Sequence, residues 1–574
     1  MLRRAAVAAT TAAASISLVH ADSVVRDNSS AWWQTVDPVQ TFHSTQLTPP
    51  EFNVLTYDMS KPIDGNYTML SYRGTGTSQP APLIMDNNGS LIWSGAEDGY
   101  TDSMNTIVQK YRGEDVLTFF SGQFYSAGYG VGHWNLLSSN YSLIRQVSTI
   151  NSTSNATDNA ADFHEFLLTE NNTALVEAWR LTETDLTPSN GTGTGWTFDC
   201  VFQEVDLSGE TDKLMFEWSA LAHMNTGESY FTVQDDGNSS SNPFDWCHIN
   251  SLEKVPSTGN WLVSLRGPST IYYIDGQNGD ILWRLGGKNS NFTMGTNATF
   301  WYQHDARLMA GQDVTSGRFN ISLFDNAAGG GAPSEPTARG LVLELDTNAW
   351  TATVMQEWIP SFNNVAPSQG SVQPLDNGNT FIGWGAVPYF TEYAPDGSIV
   401  QDVTFGTTEN LVMSYRAFKQ SWSGNPLTSP SVAVNSSSAY ASWNGATSVA
   451  RWVLLGGANE SSVTTQLANT TKTGFETQVG NVNSSFPFVA VAALSSDGTC
   501  LGSSYVYSTN SMNTTSQQAS CPSGLKVASP GTNGTSAASG SSAASGSTSA
   551  AGRSGAVDAL VAGAALVAGA FVLA

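Results

Sequence analysis

HINSLEKVPSTGNWLVSLRGPSTIYYIDGQNGDILW, residues 248–283, reads as four short strands. Apolar and polar residues alternate on both sides of Thr258-Gly259-Asn260, and two further apolar runs meet across Asp275-Gly276-Gln277-Asn278-Gly279, a strand, tight turn and strand. Both halves recur. The first half returns as HEFLLTENNTALVEAW from His164, HDARLMAGQDVTSGRFNISLF from His304 and SVQPLDNGNTFIGWG from Ser371. The second half returns as LIMDNNGSLIW (83–93), EVDLSGETDKLMFEW (204–218) and LELDTNAWTATVMQEW (343–358), with looser copies at 135–147 and 392–405. Six copies at intervals of about 50 to 70 residues leave room for four strands each, the content of a propeller blade. No helical period of 3.6 accompanies them, which argues against a helical solenoid. The expected fold is all-β: a six-bladed β-propeller over residues 22–425.

Composition agrees with strands and sets limits on function. The 574 residues include 53 Gly, 22 Pro, 17 Trp, 18 Tyr and 25 Phe, with only 12 % charged, a mix that suits aromatic-rich strands joined by turns. Twenty-three Lys and Arg against 48 Asp and Glu leave a net charge of −25, which excludes a nucleic-acid partner because a phosphate backbone needs basic surface. Beyond the repeats, residues 426–508 alternate apolar and polar in six or seven short runs, as expected for a small β-sandwich of fibronectin type III kind.

The ends of the chain point outside the cell. MLRRAAVAATTAAASISLVHA has the basic start, apolar run and small-x-small close of a secretory signal over residues 1–21. Eighteen Asn-x-Ser/Thr sequons suit a glycosylated surface. Residues 509–554, rich in Ser, Thr, Gly and Ala, read as a flexible stalk, and 555–574 as a GPI-attachment signal that would be removed, so that membrane contact would come only through a lipid anchor. Four cysteines in an oxidising compartment imply two disulfides, and spacing favours Cys200 with Cys247 and Cys500 with Cys521.

Three of the seven histidines, His164, His248 and His304, together with Ser371, open equivalent repeats, so closing the ring gathers them at one end of a central channel. Arg180 and Arg266 lie 16 and 18 residues beyond His164 and His248, on the returning strands. Guanidinium presents a planar fork of donors to an oxyanion, so an anion site is the first expectation. Three imidazoles holding zinc or copper is the competing one, disfavoured by the neighbouring cations. Trp134, Trp246, Trp301, Tyr302 and Trp384 flank these positions as a stacking wall for an aromatic ligand or as packing between blades.

The run DWCHINSLEKVPSTGNWLVSLRGPSTIYYIDGQNGDILWRLGG, then WYQHDARL, then QGSVQPLDNGNTFIGWG, resembles the arylsulfotransferase family of the fungal, GPI-anchored type, related to bacterial arylsulfate sulfotransferases, over roughly residues 50–510. The resemblance implies a six-bladed propeller that moves a sulfuryl group from a phenolic sulfate to a phenol without a nucleotide donor or other cofactor. It also implies that His304 becomes sulfated, that His248 and Arg266 hold the sulfate oxygens, and that His164 is a further active-site histidine. Ser371, Arg180, Trp301 and Tyr302 are then expected at the substrate, and a fall in activity below about pH 6 is expected as imidazole protonates. A non-catalytic propeller binding glycan or a protein partner is the alternative, and a metal- or quinone-dependent oxidoreductase a third. The sequence leaves the oligomeric state open.

Overall fold

The computed structural model describes residues 37–521, apart from 126–127, 151–159, 328–336, 362–365, 409–410 and 483–484. The expected leader, the lipid-anchor signal and the stalk beyond 521 lie outside the described residues. The chain is all-β, built from many small antiparallel sheets, and is consistent with a β-propeller-like fold.

Five four-stranded meanders follow one another along the chain: 103–147, 166–219, 249–286, 304–358 and 371–404. The last two each gain an edge strand, Thr293–Met294 in parallel and Asn53–Tyr57 in antiparallel pairing. A sixth sheet joins the two ends of this region: Ala417–Gln420 pairs with Tyr67–Tyr72, which is followed by Ala81–Met85 and Leu91–Ser94. The repeated phrases become the paired strands, and one device makes their turns. Asp86, Asp206, Asp275, Asp346 and Asp396 each accept, through a carboxylate oxygen, the N–H two residues on, an Asx-turn that reverses the chain.

Six apolar clusters lie between these sheets, each shared by a consecutive pair. Trp218 and Trp261 join 166–219 to 249–286, Trp283 and Phe319 join 249–286 to 304–358, and Phe324 and Trp384 join 304–358 to 371–404. Phe381 and Leu70, Trp93 and Phe119, and Trp134 and Phe166 complete the set. The first strands of successive sheets also touch, from Ser103–Tyr111 through Phe166–Leu168, Ile249–Lys254, His304–Leu308 and Ser371–Pro374 to Ala417–Gln420, which in turn touches Ser103–Tyr111.

The C-terminal unit packs a three-stranded sheet on a larger one around Trp452, Leu454, Val479 and Val491. It has nine strands among the described residues rather than six or seven. Asn513–Gln518, expected in the stalk, pairs with Tyr505–Ser508, and the Cys500–Cys521 disulfide ties its end back. Apolar content alone hides that strand, because its side chains are polar and mostly exposed. The unit leans on the larger one through Phe42 against Phe475, and through Glu476, which accepts N–H bonds from His43 and Ser44. No helix among the described residues is long and apolar enough to cross a membrane.

Candidate active site

The three histidines sit where first strands begin. His304 opens His304–Leu308, His248 immediately precedes Ile249–Lys254, and His164 stands two residues before Phe166–Leu168; all three are buried. The backbone there is unusual. His248, Ser269, Tyr302, Asp305 and Gln369 adopt φ of 53°, 51°, 53°, 52° and 66°, a left-handed conformation that costs a non-glycine residue about 1 kcal/mol or more. Such strain persists only where surrounding contacts impose it, and here it collects around one set of side chains.

The rings form a compact group. His164 and His248 lie 4.9 Å apart at 75°, and Trp179 stacks on His164 while meeting His248 edge-on. Tyr415 touches both His164 and His304. Each imidazole has its Nδ1 held: His164 on Asp162, His248 on Asp245 at 2.5 Å, and His304 on Asn326 at 2.6 Å. The Asn326 amide donates to the carbonyls of Ala366 and Gln369, so its oxygen faces His304 and accepts from Nδ1–H. His304 therefore keeps its lone pair on Nε2, which among the described residues meets the Gln369 N–H at a long 3.3 Å. The Nε2 atoms of His164 and His248 are buried without a hydrogen bond among the described residues.

Arg266 supplies the charge. Its guanidinium is buried between the rings of Phe231 and Tyr302, 5.5 and 5.4 Å from their centroids, and no carboxylate among the described residues forms an ion pair with it. Its Nε has no hydrogen-bond partner among the described residues. Burial, with Arg266 next in weight, holds the His304 and His248 imidazoles well below their usual pKa, so both are neutral near pH 7. This moves the protonation of His304 below the expected fall near pH 6. Asp245 is pushed up to about 7 by burial, against the pull of Arg266 and His164.

Of the other expected residues, Tyr302 places its ring 5.4 Å from the Arg266 guanidinium, while Trp301 meets Tyr230 edge-on. Ser371 is corrected: its hydroxyl donates to the Ala417 carbonyl and accepts from the Ala417 N–H, joining two first strands. Arg180 is corrected too, because the strand pleat sends Trp179 to the histidines and turns Arg180 to the other face, where it makes a bidentate pair with Glu217. Trp134, Trp246 and Trp384 are inter-sheet packing, each with its indole N–H satisfied locally.

Asp162, Asp245, Asn326, Trp179 and Tyr415 escape a reading of the sequence. The first two carry a usable signal, an Asp two or three residues before a strand-opening His, in DFH and DWCH. The Cys200–Cys247 disulfide, in the pairing that spacing favours, anchors the residue next to His248. Among the described residues no trio of imidazoles gathers for a metal; the one group with ligand chemistry is Asp162, His164 and Glu177, their donor atoms within 4.8 Å. Asp162 there is engaged by His164 and the Gly130 N–H, and burial, with Asp162 and Glu165 adding to it, pushes the Glu177 carboxyl well up. Beneath the histidines, buried Glu165 bridges Arg416 and Arg307, and Asp305 completes the network.

Residues 107–406 match the family described as Arylsulfotransferase (ASST). No curated protein matches the chain. Solved structures resemble it weakly. A protein of unknown function from Bacteroides caccae has 10% identity over 62% of this chain and 100% of its own, with a TM-score of 0.34. Apo AztD from Citrobacter koseri has 8% identity over 62% and 98%, with a TM-score of 0.28. Sqt1 from Saccharomyces cerevisiae has 10% identity over 66% and 100%, with a TM-score of 0.25. The family match spans more than half of the 574 residues, and the chain belongs to the arylsulfotransferase (ASST) family.

Proposed function

We propose that the six sheets close as the blades of a β-propeller whose channel end is an arylsulfotransferase site, moving a sulfuryl group between phenols by way of His304. The observation that carries this reading is the pairing of a neutral His304, its lone pair confined to Nε2, with a buried cation, Arg266, that forms no ion pair among the described residues. A metal-binding propeller would use such an imidazole but not a buried cation beside it, and a glycan-binding one needs no such nucleophile.

In the first half-reaction His304 Nε2 attacks the sulfur of an aryl sulfate, the sulfur–oxygen bond to the ring breaks, and the phenolate leaves with that electron pair. The ring gains a positive charge, which the Nδ1–H bond to Asn326 disperses. Arg266 and a proton on His248 Nε2 face the three sulfuryl oxygens, where charge spreads in the transition state. A second phenol then attacks the same sulfur, passes its proton to water, and the sulfur–nitrogen bond breaks to return the lone pair to His304, so the kinetics are ping-pong. Mixing purified protein with 4-nitrophenyl sulfate and phenol tests this: nitrophenolate release and phenyl sulfate formation are expected, and release of neither overturns it. Arg266→Met is expected to lower kcat by about 10² to 10³, the scale of one preorganised oxyanion donor, with little change in unfolding midpoint.

The Asp245–His248 pair presents a donor on Nε2 only while it holds two protons, one shared with Nδ1 and one on Nε2. Because the Asp245 pKa is raised to about 7, the pair keeps both below that pH and loses one above it. The donor kcat/KM is therefore expected to fall as pH rises through about 7. Asp245→Asn, whose amide N–H donates to Nδ1 and leaves the proton on Nε2, should flatten that limb; an unchanged alkaline fall would contradict this assignment. The leader, sequons and anchor signal support a place on the outer surface of the cell.

A further inference from the structure

The sulfur site has an aromatic approach that the family match does not describe. A cavity of about 250 Å³ adjoins it, at the small end for ligand pockets and suited to a single substituted ring. Two of its walls belong to the site: Phe163, whose ring lies against His164, and Gln369, whose N–H reaches His304 Nε2. Met104, Phe124 and Met413 make it apolar. A stack of rings, Tyr125 on Tyr129 on Trp179, leads from the cavity wall to the histidines.

One polar pair faces this apolar space. Arg73 and Asp102 join in two contacts, 2.9 Å from Nε to Oδ1 and 3.1 Å from a terminal nitrogen to Oδ2, while the guanidinium lies 4.1 Å over the Phe124 ring. The charge of Arg73 is thus compensated before any ligand arrives. Asp102 lines the cavity with 44% of its side chain still exposed, so its carboxylate keeps acceptor capacity beyond the Arg73 pair. A ring substituent that donates a hydrogen bond suits this acceptor, whereas an anionic substituent meets a carboxylate and finds Arg73 already paired.

We propose that this cavity holds the aryl part of the substrate and selects phenols bearing a second hydrogen-bond donor over phenols bearing a carboxylate. The proposal rests on the sulfotransfer reading only for calling the occupant a substrate; the selectivity itself is a binding property. Calorimetric titration of the whole protein with resorcinol, hydroquinone, phenol and 4-hydroxybenzoate tests it without turnover. At least one diphenol is expected to bind about tenfold more tightly than phenol, the scale of one charge-assisted hydrogen bond, and 4-hydroxybenzoate more weakly than phenol. Asp102→Asn leaves Arg73 uncompensated and should reverse the order in favour of 4-hydroxybenzoate. Met413→Trp, which fills the cavity, should weaken binding of all four.

In the wild-type protein alone, 4-hydroxybenzoate binding as tightly as the diphenols overturns the proposal even if Asp102→Asn fails to fold. So does binding that Met413→Trp leaves unchanged. The expected binding order in a protein that releases no nitrophenolate would sustain the cavity assignment and overturn the sulfotransfer reading; active protein with binding indifferent to these variants would do the reverse.

Discussion

Alanine at position 304 is expected to lower kcat for nitrophenolate release by about 10⁴-fold or more, because the substitution removes the atom that takes the sulfuryl group. The supporting donors would remain. Arg266 stays between Phe231 and Tyr302, and His248 stays on Asp245, so the binding of an aryl sulfate should change far less than its turnover. Stability should suffer modestly, since His304 contributes one hydrogen bond to Asn326 and a weak one from Gln369. A drop in kcat of tenfold or less would assign the nucleophile to another residue. Because burial keeps His304 neutral, the wild-type donor kcat/KM should show no fall as pH drops from about 7 to about 6, where a free imidazole already titrates.

Arg416→Met is expected to destabilise the protein by about 3 to 5 kcal/mol, the range for breaking one side of a buried ion pair. Arg416 reaches both oxygens of Glu165 at 3.1 and 3.3 Å, donates to the Asn250 carbonyl at 2.8 Å and lies 3.5 Å from Asp305. These partners come from three different first strands or the turns before them, so the guanidinium is a strap across the centre. Removing it leaves Glu165 buried, with Arg307 as its remaining cation. Burial opposes the charge of Arg416, but Glu165 and then Asp305 outweigh it and raise its pKa. The urea midpoint of the variant measures the loss; a shift worth less than about 1 kcal/mol would show the network to be replaceable.

The sheets were legible because their turn chemistry repeats. An Asp followed two residues on by an N–H it can accept is a local device, visible as spacing, and it recurs in five of the six sheets. The histidines were legible for the same reason, as each opens a repeat. Their partners divide by distance along the chain. Asp162 and Asp245 stand two and three residues from the rings they hold, whereas Asn326 comes 22 residues after His304.

The residues that went astray show what spacing omits. Arg180 sits at the right interval, but alternation along an extended strand puts its neighbour Trp179 at the site. Ser371 holds the right register, but a buried hydroxyl between two strands satisfies backbone groups first. Selectivity for the ring was invisible, since Arg73, Asp102, Phe124 and Met413 come from separate parts of the chain and meet only after folding.

Transfer through His304 is tested by peptide mapping by mass spectrometry after rapid mixing with 4-nitrophenyl sulfate and no acceptor, quenched in alkali. An added SO₃ group is expected on the peptide that carries His304, discharged when phenol is supplied before the quench. Turnover of the donor with no adduct on that peptide, or with the adduct on another side chain, would contradict it.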